Sequence, residues 1–167
     1  LFSDLQYFPI PLSENEGIPD VVFEDGWGDE RTYGGERKHE GCDIMGTERE
    51  RGFYPVVSMG DGVVERVGWL EKGGWRIGIR MVSGAYIYYA HLYGYSRQWK
   101  EGDRVKAGEL LGFMGDTGYS TVEGTTGNFP VHLHLGIYLK TDHYEEMSVN
   151  PYWILEYIKK KRIKAMY

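Results

Sequence analysis

Hydrophobic and polar positions alternate most cleanly over residues 131–139. Val131, Leu133, Leu135, Ile137 and Leu139 alternate with His132, His134, Gly136 and Tyr138. Strict alternation of this length has the period of a half-buried β-strand. Its aliphatic face turns to a core. Its other face presents two imidazoles two residues apart, with no side chain at Gly136 to crowd them. The other apolar runs are short and punctuated by glycine. Residues 55–59 lead into a turn at Gly60-Asp61-Gly62, and residues 63–69 pair back. Gly73-Gly74 marks another turn, and the runs 75–81 and 85–92 flank Ser83-Gly84, a hairpin signal. Residues 95–101 read as a short helix or loop, and 101–115 turn every few residues. Residues 116–130 form a polar loop longer than most turns, a candidate rim for a substrate. Asn150-Pro151 predicts a helix start, a capping residue followed by proline at the first helical position. Trp153, Ile154, Tyr157 and Ile158 are expected to form its apolar face. Residues 1–30 carry Pro9, Pro11 and Pro19 and an acidic stretch at 24–30, and predict an extended arm wrapping the domain.

Composition supports a mainly β fold. The chain has 24 glycines and 14 tyrosines among short aromatic and β-branched runs. Its 167 residues suffice for one domain with a real core. The net charge of −6 indicates no nucleic-acid partner. The basic run Lys159-Lys160-Lys161-Arg162 is expected to be a solvated helix end, where positive charge suits the macrodipole. One cysteine, Cys42, allows no internal disulfide and leaves the redox compartment open. No apolar run approaches the roughly 20 residues that span a membrane. The chain begins at Leu1 rather than Met, so it is expected to be a trimmed or processed form, with any signal peptide or membrane anchor upstream.

The candidate chemistry lies in the histidines, His39, His91, His132, His134 and His143. His39 and Asp43 are spaced to converge on one metal. One imidazole from the 131–139 strand, His132 or His134, would complete a set of two nitrogens and one carboxylate oxygen. Three protein ligands with a fourth position for water is the catalytic zinc arrangement, in which the water is acidified. The H-E-x-x-H motif is absent, because position 43 is Asp, so the remaining imidazoles are the candidate acid–base groups. His143 lies in a polar loop and reads as surface. Cys42 is expected to point away from Asp43 and fill space. Glu65, Glu71 and Asp61 sit near glycine turns and need no catalytic role.

Together these residues resemble the lysostaphin/LytM-type zinc metallopeptidases that cut peptidoglycan peptides. The matching features are His39-x-x-x-Asp43, the Tyr-Ala-His-Leu around His91, the glycine-punctuated run 102–112, Gly115-Asp116-Thr117-Gly118 and His132-Leu133-His134. They occur in the family's order over residues 39–136. The resemblance implies a compact, mostly antiparallel β-sheet or sandwich with a substrate groove. With the readings above, the expected organisation is an N-terminal extended arm over 1–30, a LytM-type metallopeptidase domain over 31–149 and a short C-terminal helix over 150–167, packed on or trailing the domain. By resemblance, His39, Asp43 and His134 are the ligands of one Zn²⁺ per chain, and His91 and His132 are the catalytic pair. The implied activity is an endopeptidase acting on stem or cross-bridge peptides outside the cell or in its envelope, as a monomer. Two departures bear on substrate preference: the long 119–130 loop, and Leu135-Gly136 after His134. Two other readings compete: a catalytically silent, zinc-bound wall-binding or hydrolase-regulating domain, and a lipoyl- or biotinyl-type carrier suggested by Val105-Lys106-Ala107-Gly108.

Overall fold

The alternating stretch forms its strand over His132–Leu139, in the interior of a large sheet. Leu133, Leu135 and Ile137 are fully buried beneath it, while His132 and His134 lie on the opposite face. The structure, a computed structural model, describes residues 1–48 and 50–167. In chain order the described strands begin with β1 (Leu12–Ser13), β2 (Val22–Phe23), β3 (Glu30–Arg31), β4 (Arg37–Lys38) and β5 (Cys42–Met45). Next come β6 (Pro55–Val57), β7 (Gly62–Leu70), β8 (Gly74–Met81), β9 (Tyr86–Tyr95), β10 (Arg104–Val105) and β11 (Leu110–Met114). The chain closes with β12 (His132–Leu139), β13 (Met147–Val149), α1 (Tyr152–Ile158) and β14 (Lys164–Ala165). Among the described residues, no helix is long and apolar enough to cross a membrane.

The main sheet runs β10-β7-β8-β9-β12-β5-β2, antiparallel throughout. Strand β9 belongs to two ladders. Its first half pairs with β12 through Tyr86 to Ala90. Beyond His91 it pairs with β11 through Leu92, Gly94 and Tyr95, and β11 continues to β6. His91 sits at the change of partner with φ +63, a left-handed conformation rare for a non-glycine residue. The core lies under the aliphatic face, where Ile77 and Ile79 of β8, Ile87 and Tyr89 of β9 and Ile44 of β5 meet Leu133 and Leu135.

Near the start of the chain, Leu5, Phe8 and Ile10 are buried in the core. Strand β1 pairs in parallel with β14, and β2 extends the main sheet beside β5.

Of the helix or loop expected over residues 95–101, the structure has a loop after Tyr95; its Trp99 is buried, with Nε1 donating to Leu111 O at 3.0 Å. Two other local expectations need correction. The helix begins as expected: Asn150 Oδ1 accepts the Tyr152 N–H at 3.0 Å, and Pro151 already has helical φ −74 and ψ −17. Its buried stripe, however, is Ile154, Leu155 and Ile158. Trp153 and Tyr157 are 68% and 63% exposed, because they share the neighbouring stripe one residue round the helix. The basic run is not a uniformly solvated helix end. After Lys159 the chain turns back to reach β1, and Arg162 is drawn in. It donates to Ile10 O at 2.9 Å and Pro11 O at 3.1 Å and clamps Asp20 with both terminal nitrogens.

Candidate active site

Strand register builds the first half of the site. In the β12–β5 ladder His134 faces Asp43, while Leu135 faces Cys42. Asp43 and His134 therefore share the groove face, and Cys42 points into the core, fully buried. Burial and the nearby carboxylates push its thiol up to about 12, so Cys42 fills space and offers no metal ligand. His39 lies in the approach to β5 and turns its ring back onto the same point. His39 Nε2 is 3.2 Å from Asp43 Oδ1 and 3.1 Å from His134 Nδ1, and His134 Nδ1 is 3.2 Å from Asp43 Oδ1. Gly41 permits this approach. A Cβ there would stand 2.5 Å from His134 Cε1 and 2.7 Å from its Nε2.

Backbone carbonyls fix three of the four site imidazoles. His39 Nδ1 lies 2.9 Å from Gly26 O, His91 Nδ1 2.7 Å from Thr117 O, and His132 Nδ1 2.8 Å from Pro130 O. A carbonyl only accepts, so each Nδ1 carries a proton and donates, and it is Nε2 of each ring that faces the site.

The donor set fits a metal. Two nitrogen atoms and a carboxylate oxygen form a nearly equilateral triangle with edges of 3.1–3.2 Å. Tetrahedral bonds of about 2.0–2.1 Å place neighbouring ligand atoms roughly 3.3 Å apart, close to these edges. Burial alone would raise the Asp43 carboxyl, but the facing rings of His134, His39 and His132 hold it well below the usual carboxylate range. Asp43 is thus an anion facing imidazole nitrogens, and its second oxygen is held by Arg31 Nη2 at 3.4 Å. Burial keeps His134 and His91 neutral, the latter reinforced by the neighbouring imidazoles. Neutral imidazole is the form that binds metal.

His91 and His132 stand beside the triad, their ring centroids 4.8 Å apart, and His91 is 6.0 Å from His134. His132 Nε2 is 3.7 Å from Asp43 Oδ1 but is not among the three convergent donors. All five residues singled out from the sequence therefore lie in one place, and His143 is exposed in its loop.

Sequence reading missed several neighbours. Thr117 positions His91 through its carbonyl, and its own Oγ1 donates to Leu92 O and accepts the Trp75 N–H. Asp116 anchors the long loop: Arg51 Nε binds its Oδ1 at 2.7 Å, and the Gly127 N–H binds Oδ2 at 3.0 Å. The Gly115–Gly118 motif marked this place without giving its job. Phe129 packs on His91 at 4.4 Å and on His132 at 5.1 Å, and no pattern in the sequence singles it out.

A cavity of about 70 Å³ lies over the histidines, rimmed by Arg31, Arg37 and Tyr119. The 116–130 loop does form part of this rim. Tyr119 stacks on Tyr33 of the β3–β4 hairpin, with centroids 4.4 Å apart and planes 4° apart, and accepts from Arg37 Nη2 at 3.2 Å. Beside the cavity runs a groove of about 760 Å³, and Arg37, Lys72, Tyr88 and His134 line both spaces.

Comparison with known proteins places this geometry. An L-Ala–D-Glu endopeptidase of Bacillus subtilis (strain 168) is 43% identical over 160 residues, covering 92% of this chain and 46% of its own length. The chain thus spans about half of that curated relative. The crystal structure of a candidate glycyl-glycine endopeptidase lytM from Ruminococcus gnavus has 58% identity and a TM-score of 0.89, covering 99% of this chain and 64% of that one. The catalytic domain of lysostaphin from Staphylococcus simulans superposes with a TM-score of 0.60 at 29% identity, over 81% of this chain and 92% of that one. The model of peptidase family M23 matches residues 37–151, which hold all five clustered residues. The chain is a member of peptidase family M23.

Proposed function

We propose that this chain is a zinc-dependent endopeptidase of peptidoglycan stem or cross-bridge peptides. His39 Nε2, Asp43 Oδ1 and His134 Nδ1 hold one zinc ion per monomeric chain, and His91 and His132 perform the proton transfers. The observation that carries this reading is the triangle of three donor atoms 3.1–3.2 Å apart, with two further imidazoles beside it. Bound zinc supplies Lewis acidity, acidifying a water toward a pKa of about 7 and polarising the scissile carbonyl. The chain's own groups do the rest. His91 and His132 each turn Nε2 toward the site and can exchange a proton there. The Thr117 and Pro130 carbonyls accept from the two Nδ1–H groups and so stabilise each ring once it is charged. A protonated ring then donates to the developing oxyanion or to the leaving amine nitrogen. Gly41 keeps His134 close to the backbone, and Arg31 holds the outer oxygen of Asp43, leaving Oδ1 for the metal.

The unit responsible spans residues 31–149, braced by the arm over 1–30 and the segment 150–167. A peptidoglycan substrate places the working enzyme outside the cell or in its envelope. The relatives are named for different bonds, so the bond is decided by mass spectrometry of peptidoglycan digested with the zinc-loaded chain, with and without chelator. Chelator-sensitive release of peptides supports the proposal; intact peptidoglycan with stoichiometric zinc refutes it. The second result would favour a silent, zinc-bound wall-binding or regulatory domain, a reading in keeping with the stack that Tyr33 makes on Tyr119 at the cavity rim.

A further inference from the structure

The groove beside the histidines differs in charge from the rest of the molecule. The chain carries a net charge of −6, yet Arg37, Lys72, Arg76 and Arg80 all line this groove. Two of these groups are engaged. Arg80 binds Glu65 at 2.6 Å and also Glu146. Arg37 donates to Tyr33 O and to the Tyr119 hydroxyl. Arg76 is different: its Nη1 is shielded from solvent and has no hydrogen-bond partner among the described residues. A shielded guanidinium nitrogen left in this state is unfavourable, and of the three glutamates that line the groove, Glu65 and Glu146 are already committed to Arg80.

The sheet fixes where Arg76 stands. On β12, β9 and β8 the register aligns Tyr138, Tyr86 and Arg80 in one row, and Gly136, Tyr88 and Gly78 in the next. The next row holds His134 and Ala90, and Arg76, two residues before Gly78 on β8, sits beside it, where β8 and β9 shift register between Trp75 and Ile77. Two strand spacings place the Arg76 backbone about 9–10 Å from that of His134. An extended peptide crossing the metal centre reaches that distance within one or two residues. Tyr88 lies between and lines the same groove.

We propose that Arg76 is the carboxylate receptor of this groove, binding a free carboxylate of the substrate peptide one or two residues from the scissile bond. The inference rests on the endopeptidase reading and narrows its substrate class. A glycine bridge carries no side-chain carboxylate, whereas a stem peptide carries one when its D-Glu is not amidated. Arg76 then acts in recognition, through the part of its guanidinium that faces the groove.

The probe is a pair of stem peptides that differ only in whether the D-Glu α-carboxyl group is free or amidated. Their Kd values are measured by calorimetry on the zinc-loaded His132→Ala chain, to suppress turnover, and their kcat/KM values on the wild-type chain. The free carboxylate is expected to bind roughly 10- to 100-fold more tightly than the amide. Arg76→Gln removes that preference while affinity for the amide stays unchanged, and Arg76→Lys keeps part of it. Equal affinities, including none measurable for either peptide, overturn the proposal, and so does a preference that survives Arg76→Gln. The comparison of two ligands on the Arg76-containing protein needs no Arg76 variant, so a misfolded variant cannot rescue the idea. A binding preference without cleavage upholds Arg76 and refutes the endopeptidase reading. Equal binding with cleavage of both peptides does the reverse.

Discussion

Replacing His91 by Ala separates a proton-transfer role from a metal-binding one. His91 is nearly buried, its Nδ1–H is tied to Thr117 O at 2.7 Å, and its ring lies 4.8 Å from that of His132. It contributes no atom to the triangle formed by His39, Asp43 and His134. The substitution should therefore leave zinc stoichiometry near one per chain. A positioned acid–base group accounts for about 10²–10⁴ in rate. That corresponds to roughly 2.7–5.4 kcal/mol of lost transition-state stabilisation. The loss should fall on kcat, because no ligand and no groove wall is removed. Stability also falls, since one buried hydrogen bond worth about 1 kcal/mol and the packing against Phe129 are lost. The left-handed backbone adds little, because Ala meets the same strain there that His does. A total near 1–3 kcal/mol leaves the variant folded at 25 °C for the assay. Zinc is measured by inductively coupled plasma mass spectrometry and turnover on one purified muropeptide. Near wild-type kcat, or zinc lost as completely as in His134→Ala, would refute the two-histidine mechanism.

Three further outcomes are expected. His132→Ala should retain most of its zinc and lose most of its activity, whereas His134→Ala should lose both; equal metal loss in the two would reverse their roles. Gly41→Ala should weaken zinc affinity by roughly 10–100-fold, the scale of disturbed metal-ligand support, because its Cβ must displace the His134 ring or move backbone; a competition titration with a chelator measures this, and unchanged affinity would show that the ring can yield. Arg162→Ala removes two bonds to backbone carbonyls and a half-exposed bidentate pair with Asp20, and should cost about 2 kcal/mol; a Tm lowered by roughly 4–8 °C is expected in thermal unfolding, and a shift under 1 °C would mean that the clamp is dispensable.

Several features of this molecule were legible in one dimension because they depend on local order. Alternation at 131–139 needs only the two-residue period of a strand, and it put Leu133 and Leu135 in the core and His132 and His134 on the other face. The spacing of His39 and Asp43, and the order of motifs down to Gly115–Gly118, pointed to one metal site and to the family. The choice of His134 over His132 as a ligand came from resemblance, since both project from the same face. The register against β5, which sets His134 opposite Asp43, depends on pairing between segments some ninety residues apart. The same distance in sequence hid the other misses. Arg162 looked like a solvated charge until the chain beyond α1 returned to β1. Trp153 looked like core until packing selected the stripe through Ile154 and Ile158. Arg76 looked like any strand arginine, because its orphaned Nη1 arises only when three strands align. Local periodicity determines which face a residue takes; only the fold decides what that face meets, because partners across a sheet are fixed by long-range register.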